Sequence, residues 1–294
     1  MSNSPLKVIV VGASGFLGSR VYLEFSKSYT VVGTFNRTRL GSELLFLDAA
    51  NIDQVRDFFS SYKPDVVINC SGLTNLDQCE MYPEKSWVLN SRIPVNLSIV
   101  AKEFGALFIH VSTDNFLVPE HSVRDELAQV SAINVYGLHK IMAENFIQNI
   151  SGDHIILRTN FFGIGSRTSP NFLKWIVDSA LASREIVAFN DVFFTPVSLE
   201  FLICTIEMLI DEGFRGLMNI GASETLSKYD FIMKVFDSLA SDSGLVLSGS
   251  ITQSCLIALR PRDMSLDSTK LSKLFGKSVP SIDQMINSEL SRLR

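Results

Sequence analysis

The stretch "KVIVVGASGFLGSR" constrains this chain most, because it sets three glycines, Gly12, Gly15 and Gly18, in the spacing GxxGxxG directly behind an apolar run. Lys7 to Ala13 reads as a buried strand, and Phe16, Leu17, Val21 and Phe25 then recur at helical spacing. The three glycines have separate physical tasks. Gly12 permits a tight turn, Gly15 lets backbone N–H groups approach a ligand, and Gly18 allows the helix to lie close to the sheet. A strand, a turn of this kind and a helix N-terminus together make a seat for a pyrophosphate, because the unpaired N–H groups and the helix dipole both favour an anion. The turn therefore predicts a dinucleotide site formed by Gly12, Ser14, Gly15, Phe16, Leu17 and Gly18.

The rest of the first half repeats the pattern. Apolar runs at Thr30–Phe35, Glu43–Ala49, Asp65–Ser71, Ala106–Thr113 and His154–Asn160 read as strands covered on both faces. Helical periods fit between them at Ile52–Tyr62, Pro83–Phe104 and Asn134–Ile150. Such alternation predicts an α/β fold, a Rossmann-like doubly wound parallel sheet. After Asn160 the rhythm loosens into helices near Phe172–Ala182, Ser198–Ile210 and Ser227–Ala240, with a polar tail. The expected division is a nucleotide-binding core at 1–160, with return contributions from about 190–225, and a smaller α/β lobe at 161–294 that binds substrate.

Composition narrows the classes. A net charge of −5 supplies no basic face for nucleic acid. The most apolar helix, "SLEFLICTIEMLI", is too short to span a bilayer, so no membrane partner is expected. The opening residues do not read as a signal peptide, which makes a cytoplasmic location the expectation. Cys70, Cys79, Cys204 and Cys255 show no metal-like spacing, so no metal is expected; Cys70 and Cys204 sit in apolar runs and are expected as buried thiols.

The end of the second strand bears on the cofactor. An acidic residue there would bond the adenosine ribose of NAD, but the chain reads "GTFNRTR". Arg37, helped by Asn36 and Thr38, suits a 2′-phosphate, which favours NADP(H) over NAD(H); the alternative is a solvated loop arginine. Asp48, followed by Ala49, is placed either to contact the adenine edge or to cap the next helix. The small residues of "NCSGLT", with Cys70, Ser71 and Gly72, would let backbone approach a ribose and a pyrophosphate.

Of six tyrosines, only Tyr136 has a lysine four residues on, Lys140. That spacing places both on one helix face. An ammonium near a tyrosine hydroxyl favours phenolate, making the tyrosine a proton donor matched to a carbonyl reduced by hydride. Thr113, 23 residues upstream at a strand's carboxyl end, could donate to the same oxygen.

With "VVGASGFLG", "PDVVINCSGLTNLDQCE", "HVSTDNF", "YGLHKIMAEN", "TPVS" and "RPRDMSLDSTKL" in order along its whole length, the chain resembles the extended short-chain dehydrogenase/reductase family, and within it the dTDP-4-dehydrorhamnose reductase branch. The resemblance implies Thr113, Tyr136 and Lys140 as the catalytic set, NADPH as cofactor and a nucleotide-linked 4-keto-6-deoxy sugar as substrate. It also implies that Asn90 supports the active-site strand. Thr74, Asn115, Asn160, Phe161, Phe162 and Arg260 fall in its substrate region, with Arg260 and Arg167 as diphosphate clamps or, alternatively, surface salt-bridge partners. Asn115 stands where the branch has tyrosine, and Phe161–Phe162 where it has a tryptophan-containing segment. Members often dimerise, so a homodimer is allowed. Two other activities use this fold: an epimerase or dehydratase with retained NAD, which the missing acid disfavours, and a non-catalytic regulatory subunit like the β subunit of methionine adenosyltransferase.

Overall fold

A computed structural model describes residues 5–38, 41–119, 123–150, 153–165 and 171–293. The described residues form two compact units. The first takes residues 1–112, 134–157 and 209–217; the second takes 113–133, 158–208 and 218–294. The chain thus passes between units more often than a boundary near 160 with one return would require.

β1 (Lys7–Val11) carries four buried residues and lies between two parallel partners, which explains its unbroken valine–isoleucine run. α1 (Phe16–Phe25) follows the glycine turn and buries Leu17, Gly18, Val21 and Phe25. β2 (Thr30–Phe35) and β3 (Leu45–Phe46) extend the sheet to its edge. β3 is shorter than the expected Glu43–Ala49 strand, because only two residues find a partner at that edge. α2 (Ile52–Tyr62) is capped by Asn51, whose side chain accepts from the N–H groups of Asp53 and Gln54. β4 (Val66–Asn69) is buried throughout, and α3 (Leu76–Met81) follows it.

The helix expected over Pro83–Phe104 is interrupted. It runs as α4 (Pro83–Trp87), a π-turn (Val88–Arg92) and α5 (Ile93–Phe104). Such a turn accommodates one extra residue, and here it points both Asn90 and Ser91 inward. β5 (Leu107–Val111), α6 (Val135–Ile150) and β6 (His154–Thr159) complete the alternation.

The later elements are short. β7 (Phe161–Phe162) pairs with β10 (Val197–Ser198), and β8 (Ile186–Phe189) with β13 (Val246–Gly249). β9 (Phe193–Phe194) lies between β12 (Leu226–Ser227) and β14 (Asp263–Met264). α7 (Phe172–Leu181), α8 (Leu199–Asp211), α9 (Lys228–Ser238), α10 (Thr269–Phe275) and α11 (Ile282–Ser291) accompany them. β11 (Gly216–Ile220) returns to the main sheet, whose order is β11-β6-β5-β4-β1-β2-β3. This is a doubly wound order, with its switch point between β1 and β4; ligands of such sheets bind beyond the carboxyl ends of the strands.

In the first unit, Val55, Phe59, Leu97, Val100, Phe108 and Ile147 form one buried cluster on one face of the sheet. In the second, Phe231 is the hub of an aromatic core, with the rings of Phe162, Phe172 and Phe194 at 4.9, 5.7 and 5.5 Å. No helix among the described residues is long and apolar enough to cross a membrane. Cys204 corrects an expectation: it is exposed, because α8 turns that position away from its buried residues, while Cys79 is the buried thiol.

Candidate functional site

In the first unit the glycine turn has the geometry its spacing demands. Gly12 has φ +82°, and a Cβ there would stand 3.0 Å from the Ser71 nitrogen. A Cβ on Gly18 would stand 2.1 Å from the Gly12 carbonyl oxygen, so only glycine lets α1 start this close to the turn. Gly15 occupies the N-cap position, and no side chain caps the helix. A glycine at this position leaves the N-terminus of α1 uncovered by an N-cap side chain, which suits the approach of an anion. Leu17 is buried, so its share in such a seat is limited to its backbone.

At the end of β2, Asn36 and Arg37 are exposed, and no carboxylate stands beside them in the chain. Asn36 Nδ2 reaches the Leu47 carbonyl at 3.4 Å and Asp48 Oδ1 at 3.5 Å. Asp48 Oδ1 also accepts from the Ala50 N–H. The cap of α2 is Asn51, which removes the capping alternative for Asp48. Ala49 is buried, and its carbonyl accepts from Asn96 Nδ2.

Behind β4, the loop from Cys70 to Thr74 is held from two sides. Asn69 Oδ1 accepts from Ser71 N–H at 3.0 Å and from Ser71 Oγ at 2.6 Å. Asn90, 1% exposed, accepts from the Leu73 N–H and donates to the Leu73 carbonyl and to Ser86 Oγ. Asn90 therefore steadies this loop and not the strand that precedes Thr113, because the π-turn aims its amide at Leu73. Thr74 at the loop's end is exposed.

Tyr136 and Lys140 are both buried on α6. Two contacts set the start of that helix: Asn134 Oδ1 accepts from Gly137 N–H, and Glu80 accepts from Val135 N–H. Lys140 Nζ donates to the Val111 carbonyl at 2.7 Å and lies 3.3 Å from His110 Nε2. Burial pushes the Lys140 ammonium down to about 8, with Glu144 pulling it back. His110 is held well below the usual imidazole range by burial and by Lys140, which keeps it neutral. Glu144 is itself buried and accepts from Ser112 Oγ. His139 faces another way; its Nδ1 meets Ser86 Oγ at 2.8 Å.

The second unit holds the remaining candidates. Thr113 is buried, and its Oγ1 accepts from Asn115 N–H at 3.1 Å. Asp114 Oδ2 accepts from Asn160 Nδ2 at 2.8 Å, and Asn115 Nδ2 contacts Met264 Sδ at 3.5 Å. Burial pushes the Asp114 carboxyl above the carboxylate range, and Lys228 opposes the shift. Lys228 Nζ lies 3.2 Å from the centre of the Phe194 ring and 5.0 Å from that of Phe172. Phe162 does not belong with the substrate candidates: pairing of β7 with β10 turns it into the aromatic core, where it is 3% exposed. Phe161, the alternate residue, is half-buried. Arg260 is half-buried and donates to the Ala258 carbonyl. Arg167 lies outside the described residues.

Several of these participants carry no mark in the sequence. His110, Asn69 and Glu144 sit in apolar or helical runs, and their roles come from pairing across β4, β5 and α6. Lys228 follows Ser227, the N-cap of α9, and reads as an ordinary first-turn lysine until Phe194 and Asp114 are placed beside it.

Residues 6–294 match the family described as the RmlD substrate binding domain. A probable low-salt glycan biosynthesis reductase of Haloferax volcanii is 28% identical, with 93% of this chain and 94% of the relative covered. The dTDP-4-dehydrorhamnose reductase of Escherichia coli is 26% identical, with 96% and 97% covered. Among solved structures, a dTDP-4-dehydrorhamnose reductase of Bacillus anthracis in complex with NADP superimposes with a TM-score of 0.88 over 98% of this chain and 99% of that one, at 24% identity.

Proposed function

The chain belongs to the RmlD substrate binding domain family, and from that premise we propose that it is an NADPH-dependent reductase of the keto group of a nucleotide-linked 4-keto-6-deoxy sugar. The observation that carries the reading is the buried Tyr136–Lys140 pair on one face of α6, in the same unit as the glycine cradle. The activities of the Escherichia coli and Haloferax relatives support it, as does the NADP bound by the Bacillus anthracis enzyme.

The residues present fit NADPH. The glycine turn, to which only a glycine at position 18 lets α1 come so close, suits a pyrophosphate at the helix N-terminus, and Arg37 at a strand end without an acid suits a 2′-phosphate. Gly12, Ser14, Gly15 and the backbone of Phe16 to Gly18 would hold the pyrophosphate; Cys70, Ser71 and Gly72 would approach the ribose. Asp48 and Ala49 would border the adenine. Bound NADPH supplies hydride to the keto carbon. Tyr136 gives its proton to the carbonyl oxygen, and Lys140, one turn away, stabilises the phenolate left behind. Thr113, a buried hydroxyl of the second unit, is the residue that the family resemblance assigns as a further hydrogen-bond donor in the reaction. Thr74, Asn115, Asn160, Phe161 and Arg260 are assigned to the sugar nucleotide. Retained-NAD epimerase or dehydratase chemistry is disfavoured by the strand end at Asn36–Arg37, which has no carboxylate for the ribose hydroxyls.

The test follows reduced-cofactor absorbance with dTDP-4-keto-6-deoxy sugars and a panel of other nucleotide-linked keto sugars. Wild-type protein should consume NADPH, and Tyr136→Phe should lose at least about 100-fold in kcat while binding NADPH as before. NADPH binding without turnover of any panel member would replace this reading with the regulatory one. Unchanged turnover by Tyr136→Phe would remove Tyr136 from the mechanism.

A further inference from the structure

The contacts from Ser71 to Lys140 contain a constraint on protons. Asn69 Oδ1 faces the Ser71 N–H, a group that can only donate, so the orientation of the Asn69 amide is set and not a matter of choice. Its Nδ2 must then face His110 Nδ1, at 3.2 Å. An amide NH2 donates, so Nδ1 accepts, and a neutral ring carries its proton on Nε2. That Nε2–H points at Lys140 Nζ, 3.3 Å away.

The consequence depends on the charge of the lysine. A neutral amine satisfies every contact: its lone pair accepts from Nε2–H, and one of its own hydrogens goes to the Val111 carbonyl. An ammonium has no lone pair, so it meets Nε2–H donor to donor. If the ring moves its proton to Nδ1 to relieve that contact, it clashes with the Asn69 NH2 instead. In either arrangement the charged lysine forfeits a buried hydrogen bond that the neutral one makes.

The geometry points to His110 as a positioning residue: locked by Asn69 with its proton on Nε2, it hydrogen-bonds the neutral amine of Lys140 and so favours release of the lysine's proton during turnover. The proton goes toward the Tyr136 phenolate created when the tyrosine protonates the sugar oxygen; the N–H bond of the ammonium breaks and the phenolic O–H bond is restored. This use of the proton rests on the reductase reading, whereas the lock itself does not. The titratable groups around Lys140 are Tyr136 and Glu144 on its own helix and His110 on β5. Glu144 favours the ammonium and works against the lock, while Glu80 on α3 is committed to the start of α6.

The chain has four histidines, so protein labelled with 15N-histidine gives a spectrum simple enough to assign, using His110→Gln to identify the His110 signals. In cofactor-free wild-type protein the His110 signals should show Nε2 protonated and Nδ1 bare, and should shift with pH as Lys140 titrates. In Asn69→Leu the constraint on Nδ1 is gone, so the ring can present Nε2 as an acceptor to the ammonium. The Lys140 midpoint should then move to an about tenfold lower proton concentration. The basic limb of the kcat/KM profile should move with it, a change that a merely structural role for His110 would not produce. A proton on Nδ1 in wild type, or an imidazolium, overturns the proposal outright, even if Asn69→Leu does not fold. So does a midpoint that stays in place while the Asn69→Leu tautomer changes. If no sugar is reduced, the reductase reading falls, and the NMR midpoints still decide whether the lock exists.

Discussion

Gly18→Ala tests whether the seat for the pyrophosphate depends on how closely α1 approaches the turn. The added Cβ would lie 2.1 Å from the Gly12 carbonyl oxygen, 2.7 Å from its carbon and 3.0 Å from Ala13 Cα. The first of these is more than an ångström short of ordinary contact, and every one of the three atoms is backbone. No side chain can swing aside, so the start of the helix has to move. Forcing a methyl group into a packed site costs about 1–3 kcal/mol, and a rigid backbone wall argues for the upper end. Alanine recovers about 1 kcal/mol over glycine in a helix interior, leaving a net loss of about 2 kcal/mol. The N–H groups that would bind phosphate move with the helix, so NADPH affinity should fall by at least about tenfold, the equivalent of one charge-assisted hydrogen bond. Urea unfolding followed by circular dichroism reads the stability, and a fluorescence titration with NADPH reads the affinity. Wild-type stability together with a wild-type dissociation constant would refute the close-approach argument.

Arg37→Ala should weaken NADPH about tenfold or more and leave NADH nearly unchanged, because only the former offers a 2′-phosphate to the guanidinium; equal weakening of the two in parallel titrations would show that the arginine is a loop residue. Asn90→Ala should destabilise the protein by about 1–3 kcal/mol, since it strips partners from the Leu73 N–H and carbonyl. Amide exchange near Leu73 should speed up more than exchange in β1, and uniform acceleration would count against a local role.

Much of the first unit was legible because its signals are local. A glycine turn between an apolar strand and an amphipathic helix needs no knowledge of distant residues, and the tyrosine–lysine offset is visible in any helix that holds both. What escaped was set by pairing at long range. Phe161 and Phe162 are adjacent and chemically alike, and only the pairing of Val197 and Ser198 with them decides which turns inward. Residues 113–133 follow β5 without a compositional break, yet they belong to the second unit, where Asn115 meets Met264. His110 reads as one polar letter in "LFIHV", and its relation to Lys140 exists only once β5 lies beside α6. Asp114 and Lys228 are 114 positions apart in the chain, and no period connects them.

The π-turn at Val88–Arg92 has a consequence for how this protein can change over time. The turn takes in one residue more than regular winding would while leaving α4 and α5 facing as they do, so deleting one residue from this stretch would restore regular winding and remove the room for two adjacent inward side chains. Either Asn90 would leave the loop behind β4, or Ser91 would leave the His139 carbonyl, to which it now donates at 2.7 Å on the helix that carries Tyr136 and Lys140. Substitutions along the outer face of these helices cost little, but a one-residue deletion here gives up one of the two anchors. The stretch should therefore tolerate drift at its outward positions, hold Asn90 and Ser91, and resist the loss of a residue between its neighbours.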